Sequence, residues 1–109
     1  MSRTITAIKE FIRGRPLKIR SKSWPKVRSE FLAKYPRCAY CGGVYRLEAH
    51  HILPFHLFPM FELASFNLIS LCEENHCHFQ IGHLNNWRNY NERVAIDCEA
   101  HRSKVKLYV

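Results

Sequence analysis

No stretch of this 109-residue sequence approaches the roughly 20 consecutive apolar residues that a membrane-spanning helix needs. Met1-Ser2-Arg3-Thr4 is not followed by an apolar segment with a small-residue cleavage site, so a secretory leader is not expected and a cytoplasmic location is. Glycine is scarce (four residues), and neither an internal repeat nor a low-complexity tract is present, which argues against a linker, a solenoid or a fibrous chain. Acidic residues are few, nine against 17 Lys and Arg. With 47% hydrophobic and only 24% charged residues the chain is globular, and its length allows one small core.

The charge is unevenly placed. Residues 1–37 carry eleven Lys and Arg against Glu10 and Glu30, whereas the remainder carries six against seven acids. A basic block of this kind suits a polyanion, because each neutralised phosphate releases condensed counterions. A solvated, solubilising face is the plainer reading. An anionic membrane surface is the weaker one, since Pro16 and Pro25 interrupt any long amphipathic run. If the block contacts nucleic acid, Arg13, Arg15, Lys18, Arg20 and Lys22 are its candidate contacts.

Apolar spacing sets out the elements. Ile5, Ile8 and Ile12, with Phe11, predict a short helix ended by Gly14 and Pro16. Ser23 is placed to cap a second helix with Pro25 in its first turn. The one-sided spacing of Trp24, Val27, Phe31, Leu32 and Tyr35 predicts a core face rather than a base-stacking platform. Short strands are expected over 46–52 and 68–72, with a loop over 53–65 packed down by Phe55, Leu57, Phe58 and Phe61. A short helix is expected over 76–81, stopped by Gly82, and a last helix over 94–107. The chain thus divides into a basic helical extension (1–36), a central core (37–93) and a C-terminal helix or tail (94–109) within one α+β domain.

Cysteine and histidine are the abundant reactive residues, five and seven. Cys38-x2-Cys41 and Cys72-x4-Cys77 are two close pairs, and two such pairs complete a tetrahedral thiolate site for structural Zn2+. Two disulfides or buried free thiols are the alternatives, and the expected reducing location favours zinc. Such a site supplies on the order of 10–16 kcal/mol of folding free energy. His76 competes with Cys77 for the fourth position, and Cys77 is preferred. Cys98 is left to pack in the last helix.

Between the pairs lie Glu48-Ala49-His50-His51-Ile52-Leu53-Pro54 and Asn67-Leu68-Ile69-Ser70-Leu71-Cys72, followed by Cys77-His78. Over roughly residues 37–90 this order resembles the HNH endonucleases, in their version with a four-cysteine zinc site. The ending Cys77-His78-Phe79-Gln80-Ile81-Gly82-His83-Leu84-Asn85-Asn86-Trp87 is similar to small HNH proteins encoded by bacteriophages. The resemblance implies a ββα-metal (His-Me finger) core that hydrolyses phosphodiester bonds of double-stranded DNA, by nicking or double-strand cleavage. It implies His51 as general base, Asn67 as the residue that braces the loop and fixes the orientation of His51 by hydrogen bonds, and His50 and His78 as ligands of a catalytic Mg2+, Mn2+ or other divalent ion. A role beside phage DNA packaging, with terminase subunits as partners in a bacterial host, also follows from it.

Neighbouring strand residues point to opposite faces, so His50 and His51 cannot share one job. His83 follows His78 by five residues, which on an ideal α-helix turns it about 140° away, so it is the least secure metal ligand. His56 and His101 are expected to be structural or exposed. A non-catalytic zinc module that binds nucleic acid would keep the cysteines without needing the histidines and Asn67 together. A secreted nuclease toxin of the colicin kind would need a translocation segment, and none is visible.

Overall fold

In a computed structural model, residues 19–107 are described. The helix expected over 5–12 and the candidate contacts Arg13, Arg15 and Lys18 lie outside the described residues. Helix α1 spans Trp24–Lys34 and begins with Pro25 in its first turn. There a missing N–H costs nothing, and the preset φ favours the helix. Ser23 occupies the capping position, but its side chain makes no cap bond. Its backbone is already helical (φ −81°, ψ −10°) rather than extended, so the hydroxyl is not presented to the first-turn N–H groups. The helix ends at Tyr35, whose N–H still donates to Phe31 O at 2.9 Å, because Pro36 disfavours helical geometry in the residue before it.

The sheet has two antiparallel strands, β1 (Leu47–His51) and β2 (Leu68–Cys72), paired from Leu47–Cys72 through His50–Ile69 to His51–Leu68. The strands lie within the ranges the alternation predicts. The intervening segment folds into 3-10 turns at Pro59–Phe61 and Ser65–Asn67. Phe55 is buried and Phe58 and Phe61 are partly buried, as expected, but Leu57 is exposed, and Glu62, Leu63 and Ala64 are the deepest side chains of the segment. After β2 come a five-residue π-helical turn, His78–Gly82, and helix α2, Val94–Leu107.

Two apolar clusters hold these elements. In the first, Val27 and Phe31 of α1 pack on Ala49, Leu63 and Leu68, with Trp24 and Leu32 partly buried against them. Tyr35, expected in this face, is 48% exposed, since the helix ends before its ring can turn inward. Helix α1 is therefore part of the folded core around β1 rather than an appendage to it. The second cluster joins Leu71, Val94 and Cys98 to three cysteines of the close pairs, Cys38, Cys72 and Cys77. Cys98 packs here as expected, and burial raises its thiol to about 11. Ala39 N–H donates to Ser70 O at 2.8 Å and Glu73 N–H to Arg46 O at 2.8 Å, tying both cysteine turns to the strands.

The result is a small α+β fold with a two-stranded sheet and helices. No helix among the described residues is long and apolar enough to cross a membrane. Leu71 is fully buried between the cysteine cluster and the histidines. Leu71→Ala should cost about 2–5 kcal/mol, by lost burial plus the cavity left behind. Urea unfolding of the zinc-loaded protein should show a lower midpoint with an unchanged slope.

Candidate functional site

Two groups of side chains converge, one on sulfur and one on nitrogen. Sγ atoms of Cys38, Cys41, Cys72 and Cys77 all lie within 4.8 Å of one another, and Cys41 and Cys72 are 3.6 Å apart. That is too far for a disulfide bond of about 2.05 Å. It matches the spacing of about 3.8 Å between sulfurs ligating one tetrahedral zinc at about 2.3 Å. Gly43 N–H and Asn75 Nδ2 each donate to Cys41 Sγ at 3.4 Å, and Asn75 N–H donates to Cys72 Sγ at 3.4 Å. These bonds favour thiolate. Burial raises Cys41, but the donors from Asn75 and Gly43 outweigh it and hold the thiol at about 7. Burial pushes Cys72 and Cys77 up, so a nearby cation is what would favour their deprotonation. His76 turns away, exposed and at φ 60°, and Cys77 takes the fourth place. The four cysteines therefore form a cluster able to bind a metal ion such as zinc.

The second group is His50, His78 and His83. Their ring centroids are pairwise 4.9 Å apart, and one ring nitrogen from each lies within 4.8 Å of the others. His83 reaches this group because the turn after Cys77 is π-helical: His83 N–H donates to His78 O, five residues back, at 3.1 Å. Five residues then complete roughly one turn, and the rotation expected of an α-helix does not arise.

Outer partners set two of the rings. Glu73 Oε1 meets His78 Nδ1 at 2.5 Å, and Asn89 O accepts from His83 Nδ1 at 2.8 Å. Each leaves Nε2 as the free nitrogen, the arrangement by which metal-ligating histidines are oriented. His50, 3% exposed, has its Nε2 buried without a partner among the described residues. An unpaired buried ring nitrogen is costly, and a cation shared with His78 and His83 would satisfy it. Burial, then the neighbouring His78 and His83, hold His50 down at about 3, and burial also lowers His83, so both rings stay neutral at pH 7. Gly82 leaves the room for this packing. A Cβ there would meet Leu71 Cδ1 at 3.0 Å and His50 Cε1 at 3.2 Å.

His51 follows His50 on β1 and takes the other face. Its Nε2–H donates to the carbonyl of Glu62 at 2.8 Å, which leaves Nδ1 as the lone-pair nitrogen. Arg20 Nη1 lies 3.5 Å from that Nδ1, and the guanidinium sits over the rings of Phe55 (4.6 Å) and Trp24 (5.6 Å). Burial lowers His51 to about 4; the Glu62 bond opposes this and the charge of Arg20 adds to it. Asn67 is buried and braces the loop, as expected. Its Oδ1 accepts Leu53 N–H at 2.8 Å, and its Nδ2 donates to Leu53 O at 3.1 Å and Phe61 O at 3.2 Å. Among the described residues no hydrogen bond joins the Asn67 side chain to His51 itself. Asn67 instead anchors Phe61, and the next residue, Glu62, orients His51.

All four histidines, with Arg20, line one cleft of about 420 Å³, and His56 sits exposed at its wall. Lys22 is exposed and does not line it, and His101 stacks on Tyr40 at 3.9 Å, away from the site. Glu62, Glu73 and Asn89 escaped sequence reasoning. Glu73, five residues before His78, is the one with a usable signal, a carboxylate near a ligand histidine. Comparison with protein-family models, with curated proteins and with solved structures finds no match to this chain.

Two predictions follow from these contacts. Metal analysis should find one zinc per chain on the thiolates, lost in Cys72→Ser together with the cooperative unfolding transition. Glu73→Gln should keep that zinc and weaken Mn2+ binding at the histidines by about 10- to 100-fold in a calorimetric titration.

Proposed function

We propose that the protein is a metal-dependent DNA endonuclease of the HNH type. The observation that carries this reading is the division of labour between adjacent histidines. His50 joins two further imidazoles around a buried nitrogen that lacks a partner among the described residues, while His51, held by a backbone carbonyl, turns to the same cleft an unprotonated Nδ1 that accepts from the Arg20 guanidinium at 3.5 Å. The order of two antiparallel strands followed by a helical turn bearing His78 supports a ββα-metal core.

His50, His78 and His83 would hold a divalent ion such as Mg2+ or Mn2+, with the four thiolates holding a structural zinc. When bound, the divalent ion supplies Lewis-acid stabilisation of charge developing on the phosphate and the leaving oxygen. The chain's own residues do the rest. His51 is neutral at pH 7, and its Nδ1 accepts the proton of the attacking water as general base. The Glu62 carbonyl keeps the other ring proton on Nε2, so the tautomer cannot invert. Asn67 keeps that carbonyl in place through Phe61. Arg20, beside Nδ1, and Arg88, without an ion pair among the described residues, offer cations to the phosphodiester backbone. Double-stranded DNA is the expected partner, and phage packaging is the setting that the sequence resemblance suggests.

Purified protein incubated with supercoiled plasmid and Mg2+, Mn2+ or Ni2+ should give nicked or linear product. His51→Ala should lower the rate by roughly 10²- to 10⁴-fold, the usual contribution of a general base, with zinc content unchanged. Cleavage that persists in His51→Ala would refute the assignment of the base. DNA binding without cleavage under any metal would favour a non-catalytic zinc module.

A further inference from the structure

The cleft carries aromatic surface that phosphodiester hydrolysis does not use. Both tryptophans of the chain line it, each against a histidine of the site. Trp24 lies with its ring 4.4 Å from that of His51, partly buried. Trp87 packs on His83 and Phe79 at 4.9 Å and on His78 at 5.3 Å. Despite contact with three rings it remains 57% exposed. Of the large apolar side chains exposed among the described residues, it alone lines the cleft.

The segment that presents Trp87 is built for one conformation. Leu84 and Asn85 both adopt left-handed backbone angles, φ 53° and 63°. Such geometry is tolerated by asparagine but strained for leucine, where it persists only if the surroundings enforce it. The enforcing contacts are Asn85 N–H to Phe79 O at 3.0 Å, Arg88 N–H to Asn86 Oδ1 at 3.0 Å, and the His83–Asn89 bond. The indole is thus held rigidly beside two imidazoles of the site, next to the cation of Arg88.

We infer that Trp87 is a stacking platform for an unpaired nucleobase next to the phosphate being cut, so that the substrate is DNA with a locally unpaired nucleotide rather than continuous duplex. The inference rests on the nuclease reading for the location of the phosphate. Its chemistry is that of single-strand recognition: an aromatic face for the base, which tolerates any sequence, and a neighbouring cation for the backbone. In continuous B-form DNA every base face is already stacked and offers nothing to an indole. A bulged, flipped or single-stranded nucleotide offers one.

The test uses the full zinc-loaded chain without added divalent ion, so that binding is read without cleavage. Fluorescence anisotropy compares a fully paired duplex, the same duplex with one bulged 2-aminopurine, and the single strand. Wild type should bind the last two more tightly and quench the 2-aminopurine. Trp87→Ala should weaken those two by roughly 5- to 150-fold, the range of one base–aromatic stack, and leave the paired duplex unchanged. Trp87→Phe should retain most of the affinity. Equal affinity of the wild type for all three DNAs, or no quenching, overturns the inference even if plasmid cleavage depends on His51. Selective binding with quenching, in a protein that cuts nothing under any metal, upholds the stacking site and overturns the nuclease reading instead. The wild-type measurements stand even if Trp87→Ala fails to fold.

Discussion

Pairing of β1 with β2 is the constraint on which both centres depend. Register places Leu47 opposite Cys72 at one end of the ladder and His51 opposite Leu68 at the other. The same five-residue pairing therefore delivers a thiolate to the sulfur cluster and two histidines to the cleft. Because side chains alternate along a strand, a slip of one residue would exchange the positions of His50 and His51. Two strands alone are marginal in water. The hairpin is secured by α1 on one cluster and by the cysteines with α2 on another.

That dependence gives the proposed structural zinc a role beyond local stapling. Cys38 and Cys41 follow α1 closely, Cys72 ends β2, and Cys77 precedes the π-helical turn that carries His78. One ion bound by all four would join the first helix, the sheet and the histidine-bearing turn. Leu71 and Gly82 lie between the sulfur cluster and His50. Close packing there leaves little slack between the two groups.

The polar interior is similarly economical. Glu62 is fully buried, which is unusual for a glutamate, and it serves two purposes. Its carboxylate accepts the Ser21 N–H at 3.1 and 3.2 Å and pairs with Arg20 at 3.8 Å, while its carbonyl orients His51. The segment entering α1 is thus tied to the same residue that sets the imidazole's tautomer. Glu73 and Asn89 do comparable work for His78 and His83. Among the described residues each histidine of the site except His50 has a defined partner on one ring nitrogen, and His50 has a buried nitrogen without one.

Much of this was legible in the residues. The two close cysteine pairs and the range of α2 follow from local spacing and propensity, because ligand bites and helical periodicity act within a few residues; His50, His51 and His78 are singled out by the resemblance, and strand alternation then sets the first two on opposite faces. Other features depended on contacts distant in sequence. Asn67 reads as a brace of the loop and of His51's orientation; it does brace the loop, but its bonds go to Leu53 and Phe61 and bear on His51 only through Glu62, since loop closure decides which groups lie within reach. Trp24 reads as core by its helical face and packs partly buried on that cluster, while its ring also meets His51, remote in the chain, and lines the cleft. His83 is rotated away on an α-helix and is returned by the π-helical turn, a geometry that Gly82 accommodates and that no periodicity announces. The sequence by itself determined which side chains can bind metal or move a proton. Tertiary structure alone decided which of them meet, because hydrogen-bond partners such as Glu62 and Asn89 are chosen by packing across the fold and leave no local pattern.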